Sequence, residues 1–301
     1  MKPYQPREDR PMFGLGMMCI AMALFTSIDT SAKWLILSGL PIMQVVFVRY
    51  AGHFIAALFM FVPREGFSAF RAVHPGLQFL RAIFLLLSTA FNFAALKYLP
   101  ITVTTAIYFA SPIVITILSV LFLKERIGLK RVMAILVGFA GVLIVVAPWG
   151  ATFHPAMLLS LAALCCASGY FVMTRRLAGV EANSTSQLWA SGIATLALLP
   201  FGLVGWVWPE TGTGWLVMTF IGIFAAVGHA IAVAAHRYAD ASSLAPVTYV
   251  QAIYATAAGF IVFGTAPGWN TAAGTAIIIG SGIYIWRRER ALSKRPTPPI
   301  P

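Results

Sequence analysis

Charge is scarce in this chain. Asp, Glu, Lys and Arg make up only 10% of its 301 residues, against roughly 25% in soluble domains. So few charges cannot coat the water-facing surface of two soluble domains, which the length alone would suggest. Cysteine is scarce too. Cys19, Cys165 and Cys166 are the only three, and all lie in apolar runs. They make neither a disulfide framework nor a metal site and read as small hydrophobes in packing. HExxH and any Cys/His cluster are missing, as is any pair of acids inside an apolar run. Segments of ~10 residues with alternating polarity, the mark of a membrane β-barrel, are missing as well. These gaps argue against a disulfide scaffold, a metalloenzyme and a barrel.

What is present is apolar: 59% hydrophobic residues and a mean hydropathy of +0.85. A helix crossing the hydrocarbon needs ~20 apolar residues. The charge-free runs 98–123, 132–174, 182–209, 211–236 and 241–286 meet that length, and two are long enough for two helices each. Breaks at Pro148-Trp149-Gly150 and Ala266-Pro267-Gly268 divide those two. With three further spans in the first third, the sequence predicts ten helices. They fall at 12–38, 42–62, 73–97, 100–123, 130–148, 154–176, 183–208, 213–237, 242–263 and 269–287. The fold class expected is an all-α polytopic membrane protein. The first apolar run is too long for a signal-peptide core and reads as a retained span.

The net charge of +12 does not point to nucleic acid. Seventeen of the 21 Lys and Arg residues fall in segments on one side of the ten-span plan, and Lys97 alone falls on the other. The positive-inside rule then puts both termini in the cytoplasm, with the cations near anionic lipid.

An internal repeat underlies the plan. Setting Lys97-Tyr98 on Arg237-Tyr238, an offset of 140, brings KYLPITVTTAIYFASP onto RYADASSLAPVTYVQA. Thr102 then matches Ser242, Phe109 matches Tyr249 and Thr116 matches Thr256. Five spans are followed by five, and because five is odd the second set enters from the opposite side. Such halves can exchange two slightly different shapes, which is how inverted-repeat transporters alternate access to a site near the midplane. The domains expected are a segment 1–11, a first repeat 12–148, an inverted second repeat 149–287 and a disordered tail 288–301.

LFLKERIGLKRVMAILVGFAGVLIV (121–145), RAIFLLLSTAFNFAALKYLPITVTTAIYFASP (81–112) and the stretch 237–290 resemble the EamA family of the drug/metabolite transporter superfamily. The resemblance implies two inverted five-helix repeats around a cavity lined mainly by helices 1, 3, 4, 6, 8 and 9. It implies transport of small organic metabolites. Within the family the chain looks most like YddG-type exporters of aromatic and other amino acids; uptake or efflux of a nucleoside or riboflavin is the alternative. One position departs from the family pattern. Thr265 follows Phe263-Gly264 where members often carry an acid matching Glu125.

Ionisable residues inside spans are functional candidates because each costs at least ~2.5 kcal/mol unless paired or hydrated. Asp29, Lys33, Arg49 and His53 form one expected charge network. Asp29 and Arg49 come to similar depth on adjacent antiparallel helices, so an ion pair is expected, with Lys33 nearer the outside. The pair is either a static bridge or a group that meets substrate. An Asp29 so held makes a poor proton carrier, which favours facilitated transport. Arg81 shares a stripe with Ser88 and Asn92 and either guides a carboxylate or snorkels to the interface. On helix 4, Thr104, Tyr108 and Ser111 share a face; on helix 9, Tyr249, Gln251 and Tyr254 are candidates for the substrate pathway. The simpler reading for the hydroxyls is a bond to their own backbone. His229 is either a titrating group or a neutral core histidine. Pro112 and Pro246 are the expected hinges.

A small-solute carrier fits these residues best. An intramembrane enzyme lacks a nucleophile–base pair, since Gly280-Ser281-Gly282 has no His on its helix. A seven-helix receptor does not fit ten spans. No cofactor and no metal are expected. The partners expected are a small-molecule substrate and the lipid bilayer, not nucleic acid, with the chain a monomer or weak homodimer.

Overall fold

The computed structural model describes residues 10–111, 113–115, 117–118, 129–147, 153–177, 180–238 and 244–293. Among these, ten α-helices occur and no strand. They are α1 (Pro11–Leu37), α2 (Ile42–Glu65), α3 (Pro75–Leu96), α4 (Ile101–Tyr108), α5 (Leu129–Val146), α6 (Ala156–Leu177), α7 (Asn183–Gly202), α8 (Gly212–Tyr238), α9 (Gln251–Phe263) and α10 (Trp269–Ser293). α1, α2, α3, α6 and α8 are each long and apolar enough to cross a bilayer. Large apolar side chains stand exposed on the outer faces, among them Phe59, Phe79, Leu196, Phe260 and Ile261. In water that surface would drive aggregation; against lipid it is a match.

Helix boundaries follow local chemistry. Pro41, Pro75 and Pro100 stand at helix starts, where a missing N–H costs nothing. α9 ends on Gly264 in the left-handed region (φ 63°), which a glycine adopts without strain. Thr265 then donates its N–H to Gly259 O at 2.9 Å. The residue standing where an acid was expected from the family pattern therefore closes a helix end.

Three boundaries differ from the sequence expectation. α7 stops at Gly202, short of 208, because Gly205 turns the chain with φ 63°. α10 runs on to Ser293, into the segment expected to be a tail. The ninth span is interrupted: a 3-10 turn, Ala245–Val250, that contains Pro246 follows the helical Leu244, and the α-helix resumes at Gln251. α4 is likewise interrupted at Phe109-Ala110, with helical residues following. A proline at 112 offers no N–H to the carbonyl of Tyr108 one turn back; Ser111 Oγ donates to that carbonyl instead. Pro112 itself lies outside the described residues, as do the segments 1–9 and 294–301.

The inverted repeat is written into the packing. Under the offset of 140, α1 corresponds to α6 and α5 to α10. α1 packs on α8 and α3 packs on α6, two contacts that exchange when the repeats are swapped. α2 on α8 and α3 on α7 form a second exchanging pair. α2–α7, α4–α9 and α5–α10 map onto themselves. Residues obey the same rule. A Cβ on Gly141 would meet the Gly274 carbonyl at 3.0 Å, and the swapped positions, Ser281 and Ala134, share a hydrogen bond of 2.8 Å. Small residues let these backbones touch, as membrane helix pairs require. Phe109 and Tyr249, which are equivalent positions, meet edge to face with ring centroids 5.3 Å apart. Both lie at the breaks in the fourth helix of their repeats, on the pseudo-twofold axis.

Candidate functional site

Three polar groupings interrupt the apolar interior. The first is central. Asp29 on α1 accepts a hydrogen bond from Asn92 Nδ2 on α3 at 3.0 Å. Arg49 on α2 is buried and reaches His229 Nε2 on α8 at 3.4 Å through Nη2. A guanidinium only donates, so His229 accepts and its ring proton sits on Nδ1. His229 in turn lies stacked on His53, centroids 5.5 Å apart and planes 11° apart, and His53 meets Gln187 Oε1 at 3.1 Å. Ser88 and Tyr108 share a hydrogen bond of 2.7 Å, and Tyr50 OH joins Thr89 Oγ1 at 2.8 Å. Asp29, Tyr108 and His229 lie deep among protein atoms yet keep some accessible surface. With their partners on α2 and α3 they make up the central polar grouping.

The expected Asp29–Arg49 ion pair does not form. Asp29 is near enough to Arg49 to feel its charge, but the hydrogen bond it accepts comes from the Asn92 amide. The ground for expecting uncoupled transport, an Asp29 locked by a cation, falls with that pair.

Lys33 leaves the expected network altogether. Its Nζ donates to the carbonyls of Leu96 at 2.8 Å and Leu99 at 2.7 Å. The last carbonyls of a helix have no partner within it and carry partial negative charge, so Lys33 is a cap for the end of α3. Sequence reasoning looked for side-chain partners and had no view of these carbonyls.

Arg81 is the centre of the third grouping. It does not snorkel: it is 5% exposed and bonded inside the bundle. Nε donates to Thr174 Oγ1 at 2.7 Å, Nη1 to Ser186 O at 3.0 Å and Nη2 to Tyr170 OH at 2.8 Å. Gln78 adds a bond to Ser186 Oγ at 3.1 Å. Arg81 thus bolts α3 of the first half to α6 and α7 of the second, at the end where α1 starts and α8 finishes.

The remaining candidates divide. Ser88, Asn92, Tyr108 and His229 belong to the central grouping with Asp29, Arg49 and His53. Thr104 is buried and donates to Ile101 O on its own helix at 3.0 Å. Tyr249 packs in an apolar cluster against α10, and Tyr254 packs beside Met18 and Met22 of α1. Gln251 is half-buried at the start of α9. No described contact joins these three to the central grouping. Tyr50, Gln78, Thr89, Tyr170, Thr174, Ser186 and Gln187 were missed. Each is unremarkable alone; at an offset of 140, however, Gln78 and Arg81 fall opposite Met218 and Ile221, an asymmetry that would have flagged them. Among the described residues no group of three or more His, Cys, Asp or Glu could hold a metal ion.

The sequence profile of the EamA-like transporter family matches residues 12–147 and 154–287. A riboflavin transporter of Brucella anthropi is 28% identical over 292 residues, covering 92% of this chain and 99% of its own length. An S-adenosylmethionine uptake transporter of Rickettsia bellii is 26% identical, covering 94% and 96%. A solved crystal structure of a protein shares the fold with a TM-score of 0.61 at 20% identity, covering 91% of this chain and 99% of that one.

Proposed function

Because the chain belongs to the EamA-like transporter family and is a multi-pass membrane protein of that family, we propose that its solute is riboflavin. It carries the vitamin by alternating access at the central polar grouping, with both termini on the cytoplasmic side of the cell membrane. The observation that supports this reading is the make-up of that grouping. It offers one Asp, one buried Arg and several hydroxyl, amide and aromatic groups. Opposite charges that do not touch each other suit an uncharged solute with many hydrogen-bonding atoms and a flat ring. A relative that covers 92% of the chain is named a riboflavin transporter. Amino-acid export, the first expectation from resemblance, is not carried forward, because neither relative described above is named for it.

Exchange of labelled riboflavin in proteoliposomes holding the purified chain tests this. Accumulation above protein-free vesicles, abolished by excess unlabelled riboflavin, is expected. Its absence while the protein is folded and inserted overturns the reading. A second solute, S-adenosylmethionine, is favoured by a relative that covers 94% of the chain and is named for its uptake; its carboxylate would go to Arg49 and its ammonium to Asp29.

A further inference from the structure

We propose that Arg49, Asn92 and Asp29 form a recognition edge for a planar imide, the C=O, N–H, C=O sequence that flavins share with uracil nucleosides. The inference rests on the transport reading above and says which edge of the solute is read. Arg49 is 4% exposed, and its Nε and Nη1 have no hydrogen-bond partner. Asn92 is 7% exposed; its Nδ2 is committed to Asp29, and its Oδ1 has no partner. Asp29 links the two: it accepts from Asn92 and lies within range of the Arg49 charge, so unmatched donors on α2 and an unmatched acceptor on α3 both neighbour one carboxylate. Buried groups left in this state are destabilising, so the arrangement suits a ligand that supplies the complements.

The complements are specific. A lone carboxylate would satisfy Arg49 but bring only acceptors and a like charge toward Asp29. A lone ammonium would satisfy Asp29 and Asn92 but meet the Arg49 cation. An imide edge alternates: its carbonyls accept from Arg49, and its N–H donates to Asn92 Oδ1 or the Asp29 carboxylate. It carries no net charge, so no ion is stripped of water on entry. The partly buried His229 ring and the tilted Phe25 ring, 5.0 Å from it, are flat side chains of the kind a heteroaromatic ring packs against. A zwitterion is the rival that uses the same groups with full charges.

The test compares riboflavin, uridine and S-adenosylmethionine with the N3-methyl forms of riboflavin and uridine, each offered to proteoliposomes of the wild-type chain. N3-methylation removes the one donor of the edge and changes little else. Uptake of the methylated imide is expected to fall about tenfold or more, the effect of one lost hydrogen bond that leaves a buried acceptor unmatched. In Asn92→Leu, riboflavin uptake falls and its difference from the N3-methyl form disappears. The wild-type comparison needs no variant, so a poorly folded Asn92→Leu does not blunt it. Equal uptake of riboflavin and N3-methylriboflavin by the wild type overturns the imide edge and leaves riboflavin transport standing. Uridine carried with the same sensitivity to methylation, and riboflavin not carried, supports the edge and overturns the riboflavin reading. Uptake of S-adenosylmethionine alone overturns both.

Discussion

The two ends of the bundle are built from equivalent positions but opposite chemistry. At the end where α1 starts, the halves are joined by Arg81, Gln78, Tyr170, Thr174 and Ser186 through hydrogen bonds. Glu65 accepts from Ser184 there, His74 donates its N–H to Glu181, and Trp189 Nε1 donates to Phe70 O. Subtracting or adding the offset of 140 gives the matching positions at the other end. Arg81 becomes Ile221, Gln78 becomes Met218, Thr174 becomes Trp34 and Ser186 becomes Val46. Those four residues also meet, in a single apolar cluster with Ile221 and Val46 fully buried. Ser184 becomes Gln44, which keeps a polar tie, two bonds with the backbone of Val207 at 2.6 and 2.9 Å. Pseudo-symmetry therefore conserves where the halves touch without conserving how.

The difference sets how each end responds to water. A hydrogen bond within the protein is exchanged for one to water at a net cost of only about 1 kcal/mol. Opening an apolar contact exposes surface at about 25 cal/mol per Å² with nothing returned. The polar end can be wetted in stages; the apolar end opens or stays shut as a unit.

Swapping residues between equivalent positions tests that contrast most severely. Ile221→Arg places a charge with no partner among Val46, Met218 and Trp34. The expected loss is ~3 kcal/mol or more, read as a large drop in the melting temperature of the detergent-solubilised protein. The reverse swap, Arg81→Ile, removes three bonds and strands Tyr170 OH, while Thr174 Oγ1 keeps its bond to Tyr170 O. About 1–3 kcal/mol is expected from the unmatched hydroxyl, together with faster labelling of a cysteine placed at Ser186, since that end is no longer held shut. Were the two swaps to cost the same, the distinction between the ends would lose its energetic meaning. Gln44→Leu, which removes the polar tie at the apolar end, is expected to cost ~1–2 kcal/mol and to leave the labelling at position 186 unchanged. Ser184→Ala removes an edge contact to Glu65 and should cost below about 1 kcal/mol, a change of a degree or two in thermal unfolding.

The helices were legible in the sequence because length and hydropathy are local. So was the doubling, since the alignment of Phe109 with Tyr249 recurs as a ring contact on the symmetry axis. The central grouping was half legible. Asp29, Asn92, Arg49 and His229 stood out as polar groups in apolar runs, but their pairing did not. Arg49 meets His229, 180 positions away, rather than the nearer Asp29 that helix depth suggested. Depth along a helix is readable from residue counting, whereas rotation about its axis depends on every neighbour. Arg81 was misread for a related reason. Its partners are two hydroxyls and a backbone carbonyl on other helices, and neither hydroxyls nor carbonyls draw attention in a sequence.

Composition alone determined that this chain lives in a bilayer, because too few charges remain to face water, and residue counting alone determined that its passes come as two sets of opposite sense. Only the packed bundle decided which buried charges are satisfied and which are left open. Lys33 and Arg81 have their donors occupied by groups distant in the chain, while Arg49 keeps two unfilled. The physical reason is that hydrophobic burial sums over a segment and needs no partner, whereas a hydrogen bond exists only where two atoms from separate helices arrive within about 3 Å in the right direction.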